Sequence, residues 1–513
     1  MNFACLEFST TTPSDLLIME RFKQNGCQPV IWTGAAKSSA FAPDNKRFPD
    51  CTFLCVIELA LGATIKNKED FEEIPNKQLL RSRKFFLLKD QALKIMDRQD
   101  DVGIYNRLER EALFYSLFLY YYSLVKTKKV DFLICSDAPH VIGNLMLYGV
   151  CDILDIPTYH LTYSSVLPLF YLSRNFYGNY VKILKNSTAQ EKWFEDTQLD
   201  PALDSIQILS GHFAAPSYMT AQKNYDKNNG LKQLYKHCKG LLRGIFRHSK
   251  KKPRQNVNQS LFLEKNHQQL FHQIFIELRR TQLKESYLSG MSKVSLEDNF
   301  VFFPLHYEPE RTSLPDGGHY YQTYDALVAL REFVPNDIPI YIKEHYSQFS
   351  TKLVGYRGRS PYFYKVIQSL PNVFLVDPFL SSEKFINRAF FTATQTGTAS
   401  FEAACLGRKA VLFGYTNFSN CPNTYSFDEL NSYEELLSEK IHSREDIKQF
   451  FRDWTHDYGI ASGTDFMSSF VAKSFPKGTV DFMFNNDLRA TQIVEAILSD
   501  CTNPPTTTGD DES

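Results

Sequence analysis

Between Phe302 and Thr424 one local pattern recurs: an apolar strand, then a polar loop where that strand ends. The loops read HYEPERTSLPDGG (His306–Gly318), KEHY (Lys343–Tyr346), GYRGRS (Gly355–Ser360) and TQTGTASFEA (Thr394–Ala403). In open α/β sheets a ligand lies outside the carboxyl ends of the strands, so this pattern sets the site positions before any other feature is read. His, Lys, Arg, Thr and Gly dominate these loops. That mixture suits a ligand carrying phosphate.

Length and charge narrow the class. At 513 residues the chain exceeds one ordinary core, and two or three domains are expected. Hydrophobic residues make up 43% and charged residues 22%, the proportions of a globular protein. A net charge of −1 argues against a whole-protein nucleic-acid binder. The ten cysteines contain no CxxC pair, and several lie in apolar runs such as DFLICS and EAACLG, so buried thiols of a reducing compartment are expected. The amino terminus lacks a basic start with a long apolar core, and the most apolar run, Phe114–Val125, falls short of the ~20 residues that span a bilayer. A cytoplasmic location follows as the expectation.

The first half alternates strands and helices. Cys51–Ala60 reads as a strand or buried segment, and an amphipathic helix is predicted from Ile104 to Val125. Val130–Ser136, a helix over Val141–Leu154 and a strand over Ile156–Leu161 form a βαβ unit. Residues Leu231–Asn256 then carry nine Lys/Arg and no acid, with Leu234, Leu241, Leu242, Ile245 and Phe246 interleaved. Such a segment suits an anionic membrane surface, each basic residue contributing ~1 kcal/mol near lipid; a solvated linker is the alternative. A helical stretch over Ser260–Gln282 leads to strands at Phe300–Leu305, Ile338–Lys343, Val373–Val376, Phe390–Thr394 and Ala410–Gly414. The predicted fold is α/β, with two Rossmann-like doubly wound domains facing a cleft. Its divisions are 1–230, a basic linker 231–258, a nucleotide-binding half 259–500 and a disordered tail 501–513.

Candidate chemistry follows from strand ends. Thr394 ends a strand, and Thr396, Gly397, Thr398 and Ser400 open a helix whose first N–H groups attract an anion. Glu402, read as first-turn, is placed to accept from ribose hydroxyls; capping of a buried helix by Thr398 or Ser400 is the alternative. Lys343 and His345 stand at the end of IPIYIKEHY, where an imidazole donates to phosphate or protonates a leaving group. His306, Glu308 and Glu310 crowd the third loop, and Arg357 and Arg359 the fourth. In the first half Asp137 and His140 follow a buried strand and are candidates for an acceptor base.

The blocks FFPLHYEPERTSLPDGG, YIKEH, GRSPYFYKVIQSLPNVFLV and TATQTGTASFEAACLGRKAVLFG, spanning Phe302 to Gly414, resemble the bacterial capsule polysaccharide biosynthesis family. Its members include transferases using CMP-activated Kdo and are similar to GT-B sialyltransferases. The resemblance implies that a His-Pro dipeptide contacts the donor phosphate and that a Ser/Thr-rich turn binds the nucleotide. These roles fall on His345 and Thr396–Ser400. One departure is plain: Tyr346 stands where that family has proline.

The expected function is transfer of a sugar from a nucleotide-activated donor, CMP-sugar favoured, to a polysaccharide or lipid-linked glycan acceptor. No cofactor and no metal are expected, since no DxD-like motif stands at a strand end of the second half. A nucleotide-sugar epimerase and a non-catalytic glycan- or partner-binding subunit are the alternatives.

Overall fold

Short apolar runs alternate with helices along the chain, and the computed structural model assembles them into two sheets of six strands. It describes residues 1–34, 42–56, 72–100, 105–175, 178–183, 194–206, 208–209, 269–297, 299–350, 353–466 and 475–503. The chain forms two compact units: Met1–Ala92 with Glu111–Ile206 and Lys448–Ser513, and Leu93–Arg110 with Gln207–Ile447.

The first unit holds β1 (Asn2–Leu6), α1 (Pro13–Gln24), β2 (Gln28–Gly34) and β3 (Thr52–Cys55). After α2 (Arg83–Gln99) and α3 (Arg107–Thr127) come β4 (Phe132–Cys135), α4 (Ile142–Ile153), β5 (Thr158–Tyr163), β6 (Phe170–Ser173) and α5 (Asp196–Ser205). Strand order is β3-β2-β1-β4-β5-β6, parallel except for β6. That is the doubly wound order, with its topological switch between β1 and β4. All four residues of β4 are buried, as a parallel strand covered on both faces requires. Cys5, Cys135 and Cys151 are buried free thiols.

The second unit opens with α6 (Gln269–Ser289) and continues through β7 (Val301–Pro304), α7 (Thr323–Phe333), β8 (Ile340–Lys343) and α8 (Pro361–Gln368). Then follow β9 (Val373–Leu375), α9 (Ser382–Ile386), β10 (Phe391–Thr394), α10 (Thr398–Cys405), β11 (Lys409–Leu412), β12 (Thr424–Ser426) and α11 (Tyr433–Ser438). The order β12-β11-β10-β7-β8-β9 is wholly parallel and repeats the doubly wound pattern, switching between β7 and β10. One face packs Val301, Phe303, Ile342 and Leu375 with helix residues Leu327, Leu330 and Tyr364; the other packs Phe302 and Tyr341 against Phe385 and Ala403. Alternation along each strand thus feeds two core layers. The two Rossmann-like doubly wound α/β units predicted above are observed.

The carboxyl-terminal helices return to the first unit. From α12 (Arg444–Tyr458) the chain reaches α13 (Asn486–Thr502), whose Ile493, Val494 and Ile497 share a core with Ile18, Met19 and Phe22 of α1. Arg489 pairs with buried Asp15 at 3.0 Å. The linear division that carried the second half through residue 500 therefore differs from the observed one, which ends at Ile447. Cys501 and Thr502, expected in a disordered tail, close α13. The basic stretch 231–256 lies outside the described residues. Among the described residues no helix is long and apolar enough to cross a membrane.

Candidate active site

The second sheet's switch point is closed by one side chain. His306 follows β7, and its Nε2 accepts the Thr396 N–H across from β10 at 3.0 Å, with the Thr394 hydroxyl 3.2 Å away. An imidazole nitrogen that accepts a backbone N–H carries no proton. Burial holds His306 neutral, its pKa lowered to about 4. Gly397, next in the chain, has an ordinary extended backbone (φ −74°). Its need for glycine is spatial, because a Cβ would stand 2.8 Å from Thr394 Oγ1 and 3.2 Å from His306 Cε1. The expected phosphate approach at Gly397 is thus replaced, on the His306 side, by packing against the ring.

Around this closure lie the groups that a phosphate could meet. Lys343 ends β8 and donates to Ser382 Oγ at 3.2 Å. His345 accepts the Ser347 N–H on Nδ1 at 3.2 Å, and burial lowers its pKa to about 4, with Lys343 and His306 adding to the effect. A neutral ring accepting through Nδ1 must carry its proton on Nε2, so His345 is a hydrogen-bond donor rather than a proton source near neutral pH. Thr398, the first residue of α10, is exposed and bonds Glu402 Oε1 at 3.4 Å. Burial raises the Glu402 carboxyl to about 7 against the opposing pull of Thr398 and Lys343. Glu402 sits beyond the first turn, one turn further along than the sequence reading put it. The buried Ser400 hydroxyl donates to Gly397 O at 2.7 Å, and Thr396 Oγ1 to Thr312 O at 2.6 Å, so both hydroxyls serve the turn itself.

Two expected ligand contacts turn inward. Arg359, with its side chain 1% exposed, pairs with Glu308 at 2.9 Å, bonds Glu344 at 3.3 Å and donates to His306 O at 3.1 Å. Glu308 also accepts from Thr323 at 2.9 Å. Neither charge faces a ligand, because each is already matched in the interior. Arg357 donates to Arg98 O and Tyr356 Oη, and the exposed Glu310 accepts from Thr312. Gln348, Arg98 and Lys94 were not singled out from sequence. Gln348 ties the Glu308 backbone to Gly355, and the last turns of α2 bring Lys94 to Tyr321 O at 2.7 Å and Arg98 to Leu314 O at 3.3 Å. No local motif marks such partners, which are far away along the chain.

Asp137 and His140 stand at the carboxyl end of β4, beside the switch point of the first sheet, and bond locally: Asp137 Oδ1 accepts the Ala138 N–H at 2.8 Å, and His140 Nδ1 lies 2.9 Å from Ala138 O. Asp137 is not a helix cap, since α4 begins after Val141. Next to them is Glu7, which sequence reasoning passed over. It adopts a left-handed backbone (φ 59°) directly after β1 and accepts from Asn144 at 2.8 Å. A non-glycine residue in that region stores strain of order 1–3 kcal/mol.

The two neutral imidazoles carry an acid signature. Between pH 4 and the ordinary 6.5 the unfolded chain protonates His306 and His345, while the folded chain does not. Stability therefore falls as pH is lowered through that window, by about 1.4 kcal/mol per pH unit for each imidazole. Denaturant titrations of wild type and His345→Gln at pH 7 and 5 should show a smaller loss in the variant; equal losses would contradict the burial of a neutral ring.

No family model matches this chain, and no curated protein sequence does. Among solved structures, UDP-GlcNAc 2-epimerase of Methanocaldococcus jannaschii matches at 12% identity over 89% of this chain and 100% of that one, with a TM-score of 0.22. The KpsC beta Kdo 2,7 transferase of Thermosulfurimonas dismutans matches at 12% identity over 71% and 86%, TM-score 0.24. Acinetobacter baumannii MurG matches at 10% identity over 97% and 99%, TM-score 0.20. Likenesses this distant assign no activity to this chain.

Proposed function

We propose that the carboxyl edge of the second sheet binds a nucleotide-activated sugar and that the protein is a glycosyltransferase of surface-polysaccharide assembly. The observation that carries this reading is that Lys343, neutral His345 and the start of α10 stand on one carboxyl edge, at the ends of β8 and β10 on either side of β7. Each of these groups favours negative charge, and together they would stabilise the phosphate as the nucleotide leaves. Thr396 and His306 hold the turn that aims the α10 amides. A CMP-sugar donor is favoured by the sequence resemblance, and a capsule or other surface polysaccharide or glycolipid would be the acceptor. Asp137 and His140 are the proposed acceptor-side groups of the first unit. The basic segment 231–256 supports a peripheral place on the cytoplasmic face of the membrane.

Glu402 favours a second reading. A carboxyl that titrates near neutrality could exchange a proton with a bound sugar, as an epimerase requires. Incubation with CMP-, UDP- and GDP-sugars, with and without a glycan acceptor, separates the possibilities. Nucleotide release only with acceptor is expected. Conversion of the donor without acceptor would give the epimerase reading, and binding without either reaction a non-catalytic subunit.

A further inference from the structure

We propose that Arg359 is the positioning residue of this edge, fixing the His306 and His345 loops against each other through one guanidinium; this rests on the reading of the edge as a donor site. Its three partners are Glu308 Oε2 at 2.9 Å, Glu344 Oε2 at 3.3 Å and His306 O at 3.1 Å. The last bond grips the backbone of one histidine directly. The second histidine is reached through Glu344, whose Oε1 accepts the His345 N–H at 2.8 Å. Glu344 is itself held by Tyr364, which donates to Oε2 at 2.6 Å, and its own N–H donates to Tyr287 at 3.0 Å. The Phe363 ring lies 4.4 Å from the guanidinium carbon and blocks another approach.

Such a cluster is a poor choice for stability alone, since buried ion pairs and triads are often matched or bettered by apolar residues. What a planar five-donor fork supplies is direction, because it can bond two carboxylates and a carbonyl at once, whereas an ammonium is a single point. The backbone beside Arg359 is shaped to allow this. A Cβ on Gly358 would stand 2.2 Å from the Glu308 carbonyl carbon, so only glycine lets the two loops pass this closely. Arg359 touches no ligand position; it acts through the two histidine loops.

The test is histidine NMR of the full chain labelled at Cε1, joined to calorimetry with CMP, UDP and GDP. Arg359→Lys keeps the buried charge and loses the fork. Its His306 and His345 signals should both move while His140 stays, and the affinity for whichever nucleotide wild type binds should fall by at least about tenfold. A folded Arg359→Lys with wild-type signals at both histidines would overturn the proposal, as would unchanged affinity. If Arg359→Lys does not fold, the triple variant Glu308→Gln/Arg359→Met/Glu344→Gln removes the whole charge cluster and is read the same way. Should wild type bind none of the nucleotides, the donor-site reading fails, and the histidine signals still decide the role of Arg359.

Discussion

Replacing His345 with alanine is expected to cut turnover by on the order of 10²-fold, the loss typical of removing one preorganised donor to developing charge. The expectation follows from the tautomer. Ser347 donates to Nδ1, so the proton sits on Nε2 and is available to a phosphate oxygen without any change of charge. A pKa lowered to about 4 makes the ring a poor proton source near neutrality. Two consequences distinguish this role from acid catalysis. His345→Gln, which restores an N–H donor, should recover part of the lost rate. The rate profile should also lack a limb near pH 6.5 from this residue. Unchanged turnover in His345→Ala would remove it from the mechanism, and a limb near 6.5 lost in the variant would make it a general acid.

The second large effect belongs to Glu402. Burial holds its carboxyl near 7, so it is neutral at pH 6 and ionised at pH 8. A phosphate bound at the start of α10 opposes that ionisation, so binding is accompanied by proton uptake and affinity falls as pH rises through 7. One unit of upward shift in the complex corresponds to about tenfold in affinity, 1.36 kcal/mol. Nucleotide dissociation constants measured at pH 6 and 8 should therefore differ by about fivefold in wild type, because pH 8 lies only partly above both values, and by much less in Glu402→Gln. An equal pH dependence in both proteins would place Glu402 away from the phosphate.

The carboxyl-edge loops were legible because strand periodicity and a following polar run are local. Phe300–Leu305 contains β7, Ile338–Lys343 contains β8, and Phe390–Thr394 contains β10. The same local signal located α3, β4 and α4. What it could not carry was direction and distance. Arg359 reads as a ligand-facing arginine in GYRGRS, yet Glu308 and Glu344 satisfy it inside; nothing within a few residues announces those partners. Ser400 reads as a phosphate donor, but its hydroxyl faces back to Gly397 O. The return of α13 to α1 depends on an apolar face matching one more than 450 residues away along the chain, which no local pattern encodes. Tyr346, the departure from the family pattern, is buried with its ring edge-on to Phe379 at 5.8 Å. His345 holds an extended backbone (φ −67°, ψ 128°), the conformation that a following proline would favour, with tyrosine in that place.

The most direct test of a donor site at this switch point is calorimetry of CMP, UDP and GDP on wild type and on Lys343→Ala. Binding of CMP in preference to UDP and GDP, weakened in the variant, is the result predicted by a phosphate seated between Lys343, His345 and α10. Binding of none of the three, or binding indifferent to Lys343→Ala, would contradict it.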